Sequence, residues 1–261
     1  MITESRALKG TSRLYGDEDL ALFQAAQVVV VGLGGVGSWA VEALARSGIG
    51  HVRLVDMDVL VESNINRQLP ALHSTLGRDK VQVLAERCLD IQPDMRVQIH
   101  DCYLDDQNIE TLLTPLPHLI LDCSDDFAAK KLLVLWCRRR RIPLVVAGST
   151  GGKRDPSQWR VEDLARTERD PLLAKLRREL RRHHKFPLRP GEKFNIATVY
   201  SQEPIQRPQQ CEQQDLSCSG MGSSMMVTCT AAMLAVAEGL RLMTWRMRLA
   251  AERAQGEPPL R

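Results

Sequence analysis

Four groups of residues in this chain have the types and spacing that nucleotide chemistry requires. Gly32-Leu33-Gly34-Gly35-Val36-Gly37 carries a Gly32-x-Gly34-x-x-Gly37 pattern. Glycines there permit a tight turn and let backbone N–H groups meet a phosphate without a Cβ in the way. Asp56 follows 19 residues after Gly37, where a carboxylate accepts hydrogen bonds from ribose hydroxyls. Asp58 has two readings: a second functional acid that binds ribose or orients a cation, or a turn residue capping its own backbone. Asn64-Ile65-Asn66-Arg67-Gln68 and Lys80 form a cluster of amides and cations, with Arg67 offering a planar fork for phosphate oxygens and Lys80 a point charge. Leu121-Asp122-Cys123-Ser124-Asp125-Asp126 is the fourth group. Asp125 is the magnesium candidate, because a hard cation takes carboxylate and phosphate oxygens. Asp126 is read as a ligand of the nucleotide site or as a helix N-cap, and Asp122 as a possible buried structural acid.

The glycine pattern alone fits any nucleotide. The second group discriminates. A dinucleotide oxidoreductase needs no anion clamp beyond its ribose acid, whereas a triphosphate has several negative charges to hold while one phosphoryl bond breaks. ATP with Mg2+ is therefore expected, and an NAD-dependent oxidoreductase ranks last because Asn66-Arg67-Gln68 would have no task.

The elements that position these groups follow from alternating apolar runs and helix-length patterns, which predict a parallel sheet with crossover helices. Strands are expected over Gln27–Val31, His51–Asp56, Arg96–His100, His118–Asp122 and Pro143–Gly148, and helices over Val36–Ser47, Asp79–Ile91, Asp106–Leu113 and Phe127–Arg140. Ser149 to Ser157 reads as a loop. Pro171 opens a basic helix, Leu172 to His183, and Ile196–Ser201 is a further strand. Pro204 to Gln214 is a polar loop, and a long helix after Gly220 is expected to pack back on the sheet. The charged tail from Arg246 to Arg261 is expected to fray. The fold class is thus α/β, Rossmann-like, a mostly parallel sheet with helices on both faces, plus an irregular basic C-terminal extension packed on it.

Composition sets bounds on the partners. At 261 residues and 44% hydrophobic, the chain can bury a sizeable core. Its formal net charge is only +3, yet the stretch from Arg138 to Lys193 has 17 Lys and Arg against 7 Asp and Glu. Such a local excess attracts a polyanion or forms a solvated helix surface; His183 and His184 are read as part of it. An aromatic content of 4% argues against RNA recognition by stacking on a sheet. The seven cysteines include no Cys-x-x-Cys pair, so a zinc site of the usual spacing is not expected. With no apolar leader at the start, reduced thiols and a cytoplasmic setting are expected. Leu216 to Ala237 lacks charge over a membrane-spanning length. Its many Ser, Thr and Gly residues fit a helix buried in a soluble domain better, and no stable membrane insertion is expected.

From roughly Arg13 to Ala147 these motifs resemble the ubiquitin-activating-enzyme-like (ThiF/MoeB-type) superfamily of adenylating enzymes. The resemblance implies that Gly35 and Asp56 touch the nucleoside, Asn64 and Arg67 the phosphates, Lys80 the transferred phosphate, and Asp125 the magnesium. It also implies a homodimer, in which Arg13, from Ser12-Arg13-Leu14-Tyr15-Gly16, is lent to the partner subunit's site. The zinc-binding cysteine pairs of the relatives that adenylate ubiquitin-like proteins are missing. The second half instead resembles the bacterial tRNA threonylcarbamoyladenosine dehydratases, a likeness carried by Asn64-Ile65-Asn66-Arg67-Gln68, Asp170-Pro171-Leu172, Tyr200-Ser201-Gln202-Glu203-Pro204 and Cys218-Ser219-Gly220-Met221-Gly222.

That second resemblance implies residues 1–150 as an ATP-binding adenylation domain, 151–245 as a tRNA-binding extension with a buried C-terminal helix, and 246–261 as a flexible tail. The expected activity is adenylation of the threonine carboxylate of threonylcarbamoyladenosine in tRNA, followed by ring closure with loss of water. The tRNA phosphates would lie on Arg177–Arg182 and Arg138–Arg141. The alternative is an adenylyltransferase for the C-terminus of a small sulfur-carrier protein, which the absent zinc pairs and the basic second half disfavour. A catalytically idle scaffold is disfavoured by the Arg67, Lys80 and Asp125 set. Cys218 resembles a family cysteine and leaves a sulfur-transfer partner open, although small neighbours beside an apolar helix favour a buried thiol. A monovalent cation near the sheet is also left open.

Overall fold

The computed structural model describes residues 6–189, 191–206 and 221–255. Its strands are β1 (Gln27–Val31), β2 (His51–Val55), β3 (Arg96–His100), β4 (Leu119–Asp122), β5 (Leu144–Ala147), β6 (Trp159–Asp163) and β7 (Ala197–Ser201). They form one sheet in the order β3-β2-β1-β4-β5-β7-β6, parallel throughout except for β6, which pairs antiparallel with β7. Val28 to Val31 and Leu119 to Asp122 are buried on both faces, which is why the central strands read as unbroken apolar runs. The first five strands agree with expectation to within a residue at each end. Strand β6 had no expectation. As an edge strand it is covered on one side only, and its charged Arg160, Glu162 and Asp163 conceal the pattern.

The helices are α1 (Lys9–Tyr15), α2 (Asp17–Ala25), α3 (Gly35–Ser47), α4 (Lys80–Ile91), α5 (Ile109–Leu112), α6 (Phe127–Arg140), α7 (Pro171–His183) and α8 (Met225–Gln255). One core lies between the sheet and α3, α4 and α8; the other lies between the opposite face and α5, α6 and α7. Helices therefore cover both faces, as the alternating pattern requires. Helix α5 is shorter than the expected Asp106–Leu113. The Asp105 carboxylate accepts the N–H groups of Gln107 and Asn108 and holds those residues in a turn.

Helix α8 is long and apolar enough to cross a membrane. Val227, Ala231, Ala235, Leu240 and Met243 on this helix are buried against the sheet and α3. The helix also continues past Arg246, where fraying was expected to begin. Arg246 donates to the Arg141 carbonyl and Arg248 pairs with Asp19, and these contacts anchor its last turns. Residues 256–261, Cys218 and most of the Pro204–Gln214 loop lie outside the described residues.

Candidate nucleotide-binding site

Strand order reverses between β1 and β4, because β1 continues to β2 on one side and β4 to β5 on the other. Ligands of open α/β sheets bind in the crevice beyond the carboxyl ends of strands at such a point. A cavity of about 760 Å³ occupies it. Two glycines shape its floor. Gly32 leaves β1 with φ +83°, and a Cβ there would lie 2.7 Å from the Ser124 backbone. Gly37 sits one turn into α3, where a Cβ would lie 1.8 Å from the Gly32 carbonyl oxygen. Gly37 is thus a packing position beneath the turn, whereas Gly32, Gly34 and Gly35 line the cavity.

Asp56 ends β2 inside the cavity. Its carboxylate accepts the Leu33 N–H at 2.5 Å and the Asp58 N–H at 2.9 Å. Burial pushes its pKa above the ordinary carboxylate value, against the pull of Lys80 and those two N–H groups. Lys80, at the start of α4, is 4% exposed. Its Nζ lies 2.7 Å from Asp58 Oδ2 and 3.9 Å from Asp56 Oδ1. Asp58 thus pairs with Lys80. Lys80 is a buried cation held by two acids on the cavity lining.

The Asn64–Gln68 segment forms the opposite lip. Trp39 Nε1 and Thr228 Oγ1 both donate to the Arg67 carbonyl, which fastens this loop to α3 and α8. The Arg67 guanidinium donates to the Ser63 carbonyl and to Asn66 Oδ1. Asn66 does not line the cavity; its Nδ2 donates to the Ser223 carbonyl, so it steers Arg67. Asn64 lines the cavity and also accepts the Val61 N–H at 3.3 Å. Gln68 is buried in the lining, and its Oε1 is buried without a hydrogen-bond partner. A buried amide oxygen left unpaired is costly unless a ligand donor completes it.

The acids after β4 separate into three roles. Asp122 is fully buried and pairs with Lys130 Nζ at 2.9 Å, while Lys130 also donates to the Ala147 carbonyl at 3.0 Å. Asp126 caps α6 by accepting the Ala129 N–H at 2.6 Å, which favours the structural reading, although it also borders the cavity. Asp125 is exposed on the cavity wall and makes no hydrogen bond or ion pair among the described residues. No group of three or more His, Cys, Asp or Glu suited to a metal exists among the described residues. Arg13 is exposed on α1 and absent from this cavity.

Several lining residues escaped the sequence reading. Tyr103 follows β3, is 65% exposed, and has its pKa raised chiefly by the neighbouring Asp58 charge. Ser149 and Thr150 follow β5, and Leu172 opens α7. Each of the first three stands just past the carboxyl end of a parallel strand, the one signal that could have found them. The Cys123 thiol also borders the cavity, and burial pushes its pKa up to about 12, so it is no ready nucleophile.

Helices α6 and α7 carry the basic excess. Leu173, Leu176 and Leu180 bury one side of α7. Some of its cations have internal tasks: Arg177 bonds Thr167, Arg181 bonds the Pro187 carbonyl, and Lys175 stacks over Phe127. Arg178 and Arg182 are exposed and have no partner among the described residues.

A model of the ThiF family matches residues 5–255 of the chain. A tRNA threonylcarbamoyladenosine dehydratase of Haemophilus influenzae is 40% identical over 232 residues, which cover 87% of this chain and 89% of that protein. The crystal structure of the Escherichia coli tRNA N6-threonylcarbamoyladenosine dehydratase in complex with ATP superposes with a TM-score of 0.85 at 39% identity, covering 93% of this chain and 95% of that one. The same enzyme in complex with AMP gives a TM-score of 0.86 at 39% identity over 95% and 99% of the two chains.

Proposed function

We propose that this chain, which belongs to the ThiF family, is an ATP-dependent enzyme that adenylates threonylcarbamoyladenosine in tRNA and closes it to the cyclic form with loss of water. The observation that carries this reading is the single cavity that gathers Asp56, Arg67, Gln68, Lys80 and Asp125 at the β1–β4 reversal. The relatives named above act on tRNA by name, and ATP and AMP occupy the two solved structures.

In this reading the ribose lies on Asp56 and the phosphates lie over the Gly32–Gly35 turn, with the N–H groups at the start of α3 facing them. Arg67 and Lys80 hold charge that builds on the phosphates as the threonine carboxylate attacks the α-phosphorus. An acyl C–O–P link forms and the bond to pyrophosphate breaks. The neighbouring carbamoyl group then attacks the acyl carbon and gives up a proton to solvent, AMP leaves with the carboxylate oxygen, and the ring is closed. Proximity within one nucleoside drives that second step, so no cysteine nucleophile is needed. The donor set suits a magnesium ion that takes most of its ligands from phosphate and water, since Asp125 is one free carboxylate at the cavity edge. Bound there, the ion would supply Lewis-acid neutralisation of phosphate charge.

The exposed cations of α6 and α7 would bind tRNA phosphates, in a cytoplasmic setting. Arg13 would serve a second subunit of a homodimer. Its neighbours Leu14 and Tyr15, 76% and 44% exposed, give that face an apolar surface to cover.

The test is to incubate the protein with ATP, Mg2+ and tRNA bearing threonylcarbamoyladenosine, then digest the tRNA and weigh its nucleosides. Loss of one water, with AMP and pyrophosphate released, is expected. An unchanged nucleoside, alongside pyrophosphate exchange with a sulfur-carrier protein, would overturn the reading.

A further inference from the structure

Among the buried charged side chains outside the nucleotide end of the site are Lys153, Asp170 and Glu203, at 3%, 2% and 4% exposure. They come from three separate segments, the loop after β5, the turn before α7 and the turn after β7. Lys153 Nζ donates to the carbonyls of Glu203 and Arg169. The Glu203 carboxylate accepts the N–H groups of Arg154 and Asp155 at 2.8 and 2.9 Å. Asp170 divides its two oxygens. Oδ1 accepts the Leu173 N–H at 3.0 Å and caps α7, while Oδ2 accepts the Ser149 N–H at 2.8 Å.

Ser149 lines the cavity beside Thr150 and Leu172. It does so at the β5 end, three strand positions from β2, where Asp56 stands. At about 4.8 Å between neighbouring strands, that is roughly 14 Å across the crevice. With the ribose on Asp56 and the phosphates over the Gly32–Gly35 turn after β1, as in the reading above, the phosphate end of the nucleotide faces Ser149. The Ser149 hydroxyl has no partner among the described residues.

We propose that Gly148–Thr150 forms the acceptor wall of the cavity, that the Ser149 hydroxyl contacts the threonylcarbamoyl group, and that Asp170, next to the Arg169 carbonyl that Lys153 binds, is the positioning residue that fixes this wall in register with α7. The proposal rests on the tRNA reading above. One carboxylate holds both the wall and the first turn of the helix that carries the free arginines. The group under attack and the RNA phosphates are thereby set relative to each other by a single side chain. Burial lowers the Lys153 pKa, with Asp170 and Glu203 opposing that shift.

The geometry makes substitutions at Asp170 selective. Asp170→Asn keeps one carbonyl oxygen for the α7 cap but cannot also accept from Ser149. Asp170→Ser keeps a cap and is too short to reach the wall. We expect both, and Ser149→Ala, to lower kcat/KM for modified tRNA roughly ten- to a hundredfold through misplacement of the acceptor. ATP affinity by calorimetry and RNA affinity by filter binding should stay within about twofold of the parent protein. Ser149→Ala removes one surface oxygen of the cavity and keeps the reading testable should an Asp170 variant fail to fold. Unchanged kcat/KM in Ser149→Ala, or equal losses of ATP affinity and turnover in the folded variants, would overturn the proposal. Failure of the parent protein to dehydrate the tRNA would instead overturn the functional reading beneath it.

Discussion

Removing Lys130 alone should damage this protein far more than removing Lys130 and Asp122 together. Both side chains are 0% exposed, and they meet at 2.9 Å between β4 and α6. Lys130→Met deletes that contact and the bond to the Ala147 carbonyl, leaving Asp122 as a buried charge whose remaining hydrogen bonds, to the Ser124 backbone N–H and hydroxyl, are both long at 3.3 Å. Stranding a buried charge in this way costs about 3–5 kcal/mol. For a domain of this size that is a fall in Tm of roughly 6–20 °C. In Lys130→Met/Asp122→Asn no charge remains, and the double variant should return to within about 1–2 kcal/mol of the parent. Urea unfolding followed by circular dichroism reads the parent, Lys130→Met, Asp122→Asn and the double variant on one scale. A Lys130→Met loss below about 1 kcal/mol, or a double variant as unstable as the sum of the singles, would refute the reasoning. Activity should fall with Lys130→Met as well, because Asp122 tethers the turn that presents Asp125.

Other outcomes follow from the cavity. Lys80→Ala should lower turnover at least about 100-fold, the scale for removing one positioned charge donor, and leave a cooperative melting transition. Asp125→Ala should abolish turnover with Tm unchanged, since that side chain is exposed and bonds nothing among the described residues; full activity in the folded variant would remove it from the site. Burial raises the Asp56 pKa, so ATP affinity should start to fall, as pH drops, at a higher pH than an ordinary aspartate near about 3.9 would give. The same shift stabilises the protonated form in the folded state, so its contribution to stability is complete below that ordinary value and is lost as pH rises through the folded pKa. Calorimetric titration with ATP across acidic pH checks it, and Asp56→Asn should flatten the profile. Arg178→Ala/Arg182→Ala should reduce the slope of log RNA affinity against log salt by about 1–2, with ATP affinity unchanged.

The sheet was largely legible in the sequence because its central strands are buried on both faces and cannot hide their apolar runs. The nucleotide end of the site was legible for a related reason. Gly32, Asp56, Arg67 and Lys80 sit at fixed distances from strand ends and helix starts, and chemistry limits which residue types serve there. What stayed hidden depends on distant segments meeting. Asp170 and Glu203 stood out only as parts of short matching stretches, and nothing local says that Lys153 joins the two segments that carry them. Tyr103 and Ser149 are ordinary residues that acquire meaning from the strand they follow. Asn66 was placed with the ligand contacts, yet the fold turns it toward Ser223 and Arg67. An amide in a polar loop gives no sign of which way it faces.

The most direct test of adenylation traces one oxygen. The tRNA is modified with threonine whose carboxylate carries oxygen-18, then incubated with the protein, ATP and Mg2+. If the carboxylate attacks the α-phosphorus and AMP leaves on ring closure, each AMP released carries one labelled oxygen. Unlabelled AMP, or label in inorganic phosphate or pyrophosphate, would contradict the account.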